Sequence, residues 1–211
     1  MRIRGVIHIC QRGEWKRSLN MLLSELRKSG LYDATEHIYF CIVTDGPADT
    51  SFVLPKSRCM YMGAPPVYER STLLYTRSLA EADEEDVFYW YLHTKGIRWF
   101  GTERELNVID WIQLLLYWNV TQWKTAVHAL QQGYDTYGCN QTYDPVNHYS
   151  GNFWWATSRY LKRLPATIGS EYNDPEFWIM QSSPRWFCVF RSGLEGMGHY
   201  FNRYPLSRIL T

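Results

Sequence analysis

The stretch VFYWYLHTKG, residues 87–96, decides the fold. Val87 to Leu92 are six apolar or aromatic β-formers in a row, as in a sheet strand covered on both faces. His93, Thr94, Lys95 and Gly96 then place a metal-capable imidazole, a hydroxyl, an ammonium and a flexible backbone at one strand tip. Open α/β sheets bind ligands outside the carboxyl ends of their strands. The stretch therefore predicts a central strand whose cationic end meets a phosphorylated ligand, assisted by a divalent metal.

Toward the N-terminus, residues 3–10 and 37–44 read as strands, 59–62 as a shorter one, and 14–28 and 70–82 as helices. Toward the C-terminus, an apolar stripe from Val108 through Trp111, Leu115 and Trp123 to Leu130 predicts one long helix over 104–131. Strands follow at 134–139, 151–156 and 185–190, short helices at 158–164 and from Asp174, and an irregular tail over 192–211. Strands and helices alternate in the first half as in a parallel sheet, and strands crowd together in the second as in antiparallel pairing. The expectation is an α/β fold: one Rossmann-like domain over residues 1–211, its mixed, mostly parallel central sheet flanked by helices. The tail is compatible with a domain that continues into a longer polypeptide.

A hydrophobic content of 45% with 20% charged residues describes a chain that buries a core. The net charge of +1 argues against broad nucleic-acid binding. Five cysteines, with no C-x-x-C spacing, predict reduced thiols and a cytoplasmic setting. No long apolar run predicts a transmembrane segment.

The commonest phosphate cradles are missing. Gln11, Arg12 and Gly13 follow the first strand in place of G-x-G-x-x-G, and no P-loop occurs. Donor binding by strand-end side chains is the remaining route, with His8, Asp45, Arg77, His93 and Lys95 as candidates. Asp45 in Asp-Gly-Pro reads equally as an Asx-turn residue or as an acceptor for a base or ribose. Arg77 reads as a solvent-facing helix residue or as a bidentate diphosphate ligand. His8, inside IHIC, reads first as a hydrogen-bonded core histidine.

Residues 5–10, Val43-Thr44-Asp45-Gly46, the helix with Arg77, YLHTKG at 91–96 and HYSGNFWWA at 148–156 carry a family resemblance over most of the chain. The sequence resembles nucleotide-sugar glycosyltransferases of the GT-A fold, closest to a glycosyltransferase domain of the chlorella viruses involved in capsid glycoprotein glycosylation. In that family the strand placed like 87–92 ends in Asp-x-Asp, whose carboxylates hold a divalent metal. Tyr91-Leu92-His93 stands at that position here, so the resemblance implies His93 as a replacement ligand and His199, in Gly-Met-Gly-His, as a second. Imidazole suits Mn²⁺ better than Mg²⁺. The resemblance also implies a donor-sugar and acceptor wall at His148, Gly151, Asn152 and Trp154. Glu176 is the first candidate for the acceptor base; Asp174 is the second and doubles as a helix cap before Pro175.

The expected function is transfer of a sugar from a UDP-sugar, with Mn²⁺, to a hydroxyl of a glycan or glycoprotein acceptor. A carbohydrate-binding module and a sugar-1-phosphate nucleotidyltransferase are the alternatives. The oligomeric state is left open.

Overall fold

The computed structural model describes residues 1–194 and 197–210. Strand β1 (Arg2–Cys10) leads into α1 (Trp15–Lys28) and the single turn α2 (Leu31–Ala34). Next come β2 (His37–Val43), β3 (Ser57–Gly63), α3 (Arg70–Glu81), β4 (Val87–His93), α4 (Glu105–Leu116) and α5 (Trp123–Gln131). The second half holds the short strands β5 (Thr136–Gly138), β6 (Gln141–Thr142), β7 (His148–Tyr149), β8 (Trp154–Thr157) and β9 (Trp186–Cys188). Its helices are single turns: α6 (Ser158–Leu161), α7 (Asp174–Phe177) and α8 (Gly198–Phe201).

Seven strands form one sheet in the order β3-β2-β1-β4-β8-β5-β9. β1 to β4 are parallel, β8 is antiparallel to both its neighbours, and β9 is parallel to β5. This is the mixed, mostly parallel sheet flanked by helices that the sequence predicts, consistent with a Rossmann-like domain. β6 and β7 form a separate hairpin between the predicted strands 134–139 and 151–156.

The alternation along β4 builds both layers. Phe88, Trp90 and Leu92 join a core with Leu19, Leu22, Ile112 and Leu115 of α1 and α4. Val87, Tyr89 and Tyr91 join Leu73 and Ala80 of α3 and Tyr160 and Leu161 of α6 on the other face. Gly5 on β1 is the slot for Trp90: a Cβ there would overlap the indole, whose Nε1–H donates to Thr35 Oγ1 at 3.0 Å. The strand order reverses between β1 and β4, and a crevice opens at their carboxyl ends.

Three predicted elements differ in the structure. The long helix is interrupted by a π-helical turn at Tyr117–Thr121, where the Asn119 carbonyl accepts from Trp155 Nε1 at 2.8 Å. The apolar stripe continues through this turn, so periodicity cannot reveal it. The strand predicted from residue 151 begins at Trp154, because Gly151 and Asn152 take φ of 97° and 53°, left-handed values incompatible with a strand. The tail expected to be irregular contains α8. All five cysteines are free, and no helix among the described residues is long and apolar enough to cross a membrane.

Candidate active-site cleft

The tip of β4 is fastened from two sides. Thr94 donates its N–H to His8 O at 2.9 Å and accepts from Cys10 N–H through Oγ1 at 3.0 Å, tying β4 to β1. The Ser18 hydroxyl of α1 donates to Lys95 O at 3.1 Å and accepts from Lys95 N–H at 3.0 Å. Gly96 then turns with φ of 71°, in a space where a Cβ would overlap Val108. These constraints lay the Lys95 side chain across Trp111, with Nζ 3.8 Å from the ring centroid. Lys95 is only 7% exposed, and among the described residues no carboxylate pairs with it.

Above this tip lies a cleft of ≈ 580 Å³. Lys95, Arg98 and Arg12, the last paired with Asp45, give it positive charge, and Glu69, Asp144 and Glu176 give it carboxylates. Three of its side chains grip the Gly151–Asn152 turn. Glu176 Oε1 accepts from Gly151 N–H at 2.6 Å, His93 Nε2–H donates to Gly151 O at 3.0 Å, and Glu69 Oε2 accepts from Asn152 Nδ2 at 2.7 Å. A Cβ at Gly151 would press on Leu115 and Trp111 beneath. The turn is thus held in a conformation that few residues other than Gly and Asn adopt.

His8 and His93 are register partners on β1 and β4. Burial, first among the causes, lowers the His8 pKa from 6.5 to about 4, with His93 also lowering it and Glu69 opposing. Burial likewise lowers His93 to about 3, helped by the Lys95 charge. Both imidazoles are therefore neutral hydrogen-bonding groups near pH 7, and the positive charge of the cleft resides on Lys95, Arg12 and Arg98.

Of the residues predicted from sequence, the fold brings His8, His93, Lys95, His148, Asn152 and Glu176 to the cleft lining. Gly151 contributes through its backbone. Asp45 stands outside the lining in an exposed pair with Arg12 at 2.6 Å. Arg77 is committed elsewhere: its Nε–H donates to Leu164 O at 2.7 Å and its guanidinium pairs with Glu81 at 2.8 Å. Asp174 Oδ2 accepts from Glu171 N–H at 2.8 Å and shapes the approach to α7; Asn173 holds the cap position expected for Asp174. Trp154 is fully buried, stacked on Tyr91 at 4.9 Å, so it offers no platform to a sugar. Its Nε1–H instead donates to Asn152 Oδ1 at 3.0 Å and orients that amide.

His199 is buried behind Trp111, stacked at 5.0 Å, with Nε2 accepting from Ser192 Oγ at 2.9 Å and Asn140 Nδ2 at 3.2 Å. Gly196 of the same motif lies outside the described residues. The donors do not compose a site for Mn²⁺. His93 has only Nδ1 to offer, 3.9 Å from Glu69 Oε1, and Glu69 Oε2 already takes hydrogen bonds from Tyr91 and Asn152. Among the described residues no three His, Cys, Asp or Glu side chains come together as a metal site.

Glu69, Arg12, Arg98, Tyr68 and Tyr172 also line the cleft, and sequence reasoning missed their roles. Arg12 was visible directly after the first strand. Glu69, three residues after Pro65-Pro66, had no pattern around it to single it out. No protein-family model matches the chain, and no curated protein matches it with significance.

Proposed function

We propose that the chain is a glycosyltransferase of the GT-A kind, moving a sugar from a nucleoside-diphosphate donor, UDP-sugars first, to a hydroxyl of a glycan or glycoprotein. The observation that carries this is Lys95, a buried ammonium on the cleft floor with an aromatic ring beneath it and, among the described residues, no carboxylate paired with it. A buried cation without an anion is costly, and a ligand phosphate supplies the missing partner. The strand order reverses directly at this point, where α/β sheets take up nucleotides.

The charge pattern supports a group transfer. The acceptor hydroxyl gives its proton to Glu176, whose Oε2 receives no protein hydrogen bond among the described residues. The acceptor oxygen attacks the anomeric carbon, and the bond from that carbon to the diphosphate oxygen breaks. Lys95, Arg98 and Arg12 offset the charge on the leaving diphosphate. His93 and Glu69 hold the Gly151–Asn152 turn, which sets the Asn152 amide and, through Gly151 N–H, the Glu176 carboxylate. No step is assigned to a metal, since the donors among the described residues do not form a site for one.

Calorimetric titration with UDP and a series of UDP-sugars, in EDTA and again with Mn²⁺, tests the proposal. Saturable binding of UDP that is lost in Lys95→Met is the expected result. No heat of binding in either buffer sinks it.

A further inference from the structure

Resting on the transferase reading, we infer that Tyr68 and Tyr172 form the stacking platform of the acceptor subsite, and that the acceptor is a carbohydrate presenting a pyranose ring. The two tyrosines line the cleft and are 43% and 63% exposed, in a molecule that leaves most of its aromatic residues buried or half-buried. Their rings meet edge to face, with centroids 5.2 Å apart and planes at 85°. An L-shaped pair of this kind presents one open ring face beside one ring edge, the complement of a sugar's apolar C–H face and its equatorial rim.

The pair is built into place from both sides. Tyr68 has φ of 50°, an uncommon value for a bulky residue, which turns its side chain from the end of the Pro65–Val67 turn toward the cleft. Arg70, on the first turn of α3, lies 5.6 Å from the Tyr68 ring and donates from Nε–H to Gly169 O at 2.5 Å and from Nη2 to Glu171 O. Asp174 holds the same loop from its far end through Glu171 N–H. The segment that carries Tyr172 is therefore pinned at both ends by side chains with no other evident task. Asp174, predicted as a second base, acts on the acceptor through the placement of Tyr172.

Position on the chain ties the platform to the chemistry. Tyr172 and Glu176 are four residues apart and line the same cleft, so a ring resting on Tyr172 directs a hydroxyl toward the carboxylate. The buried Trp154 leaves the platform role vacant on the β8 side, and Tyr68 with Tyr172 fills it from the opposite wall.

The test uses the full chain and its Tyr172→Ala, Tyr68→Ala and Tyr172→Phe variants, each checked by circular dichroism. Binding is measured to an immobilised panel of neutral oligosaccharides and, in parallel, to UDP by calorimetry. Each alanine variant is expected to lose about tenfold or more in glycan affinity, with UDP affinity within about twofold, and Tyr172→Phe to keep glycan binding within about twofold. Glycan binding in the alanine variants equal to the parent, or a parent that binds no glycan in the panel, overturns the inference. A platform-dependent glycan signal without any UDP binding upholds the subsite and removes the transferase reading, so the two ideas fail separately.

Discussion

Glu69 and Asn152 meet at 2.7 Å, carboxylate to side-chain amide, although 83 positions separate them in the chain. The same Glu69 oxygen accepts from the hydroxyl of the fully buried Tyr91 at 2.5 Å. One carboxylate thus ties the start of α3 to β4 and to the Gly151–Asn152 turn. Replacing it by alanine leaves the Tyr91 hydroxyl and the Asn152 amide without their acceptor, each worth about 1–3 kcal/mol when buried. Glu69→Ala is expected to lower the melting temperature by about 2–4 °C per kcal/mol lost, and Glu69→Gln, which keeps an acceptor for Tyr91, by less. Thermal denaturation followed by circular dichroism measures this; equal melting points for the three proteins refute the tie.

Lys95 separates binding from stability. Its ammonium is buried against Trp111 and, among the described residues, has no anionic partner, a desolvated charge that a ligand phosphate relieves. Lys95→Met keeps the linear apolar stem over the ring and removes the charge. The expected outcome is UDP affinity weakened by about tenfold or more, since a hydrogen bond to a charged group contributes about 1.5–3 kcal/mol, alongside a melting temperature unchanged or higher. A variant that binds UDP like the parent places the phosphate elsewhere.

The fold was legible because β4 and its neighbours are buried on both faces and therefore spell out long β-branched and aromatic runs. His93 and Lys95 were legible for the same reason, as polar residues directly after such a run. The rest of the site was not. Glu69 belongs to the cleft only because α3 crosses the sheet, and nothing local to Pro65–Val67 encodes that crossing. Arg77 and Trp154 have the chemistry of ligand-binding residues, but tertiary packing gave one to the carbonyls ending α6 and the other to Tyr91. Gly151 and Asn152 read as the start of the strand because Phe153 to Ala156 follow them directly, yet both residue types favour the left-handed φ they adopt, and Glu176, His93 and Glu69 hold that turn.

Gly5 tests the central slot of the sheet. A methyl group at this position would overlap the Trp90 ring, and the indole has nowhere to move without breaking its hydrogen bond to Thr35. Gly5→Ala is expected to cost about 1–3 kcal/mol or more by overpacking, read as a lower urea midpoint with an unchanged slope. The paired variant Gly5→Ala with Trp90→Phe, which removes both the clash and the indole N–H, recovers part of the loss if the overlap is the cause. Equal loss in the single and paired variants assigns the effect to the strand backbone instead.

The two neutral histidines set an acid limit on stability. Folding lowers His8 from 6.5 to about 4 and His93 to about 3, with burial the first cause for both. Above 6.5 neither the unfolded nor the folded chain protonates them, and the contribution to stability is complete. As the pH falls below that value, the unfolded chain takes up protons that the folded chain refuses, so stability falls, and the loss from His8 ends near 4, where the folded state protonates too. The slope is at most about 1.4 kcal/mol per pH unit for each histidine. Urea denaturation at about pH 7 and about pH 5 is expected to show the chain less stable at the lower value, and His8→Asn to show a shallower pH dependence than the parent. A parent protein equally stable at both values would mean that these imidazoles are not held neutral by the fold.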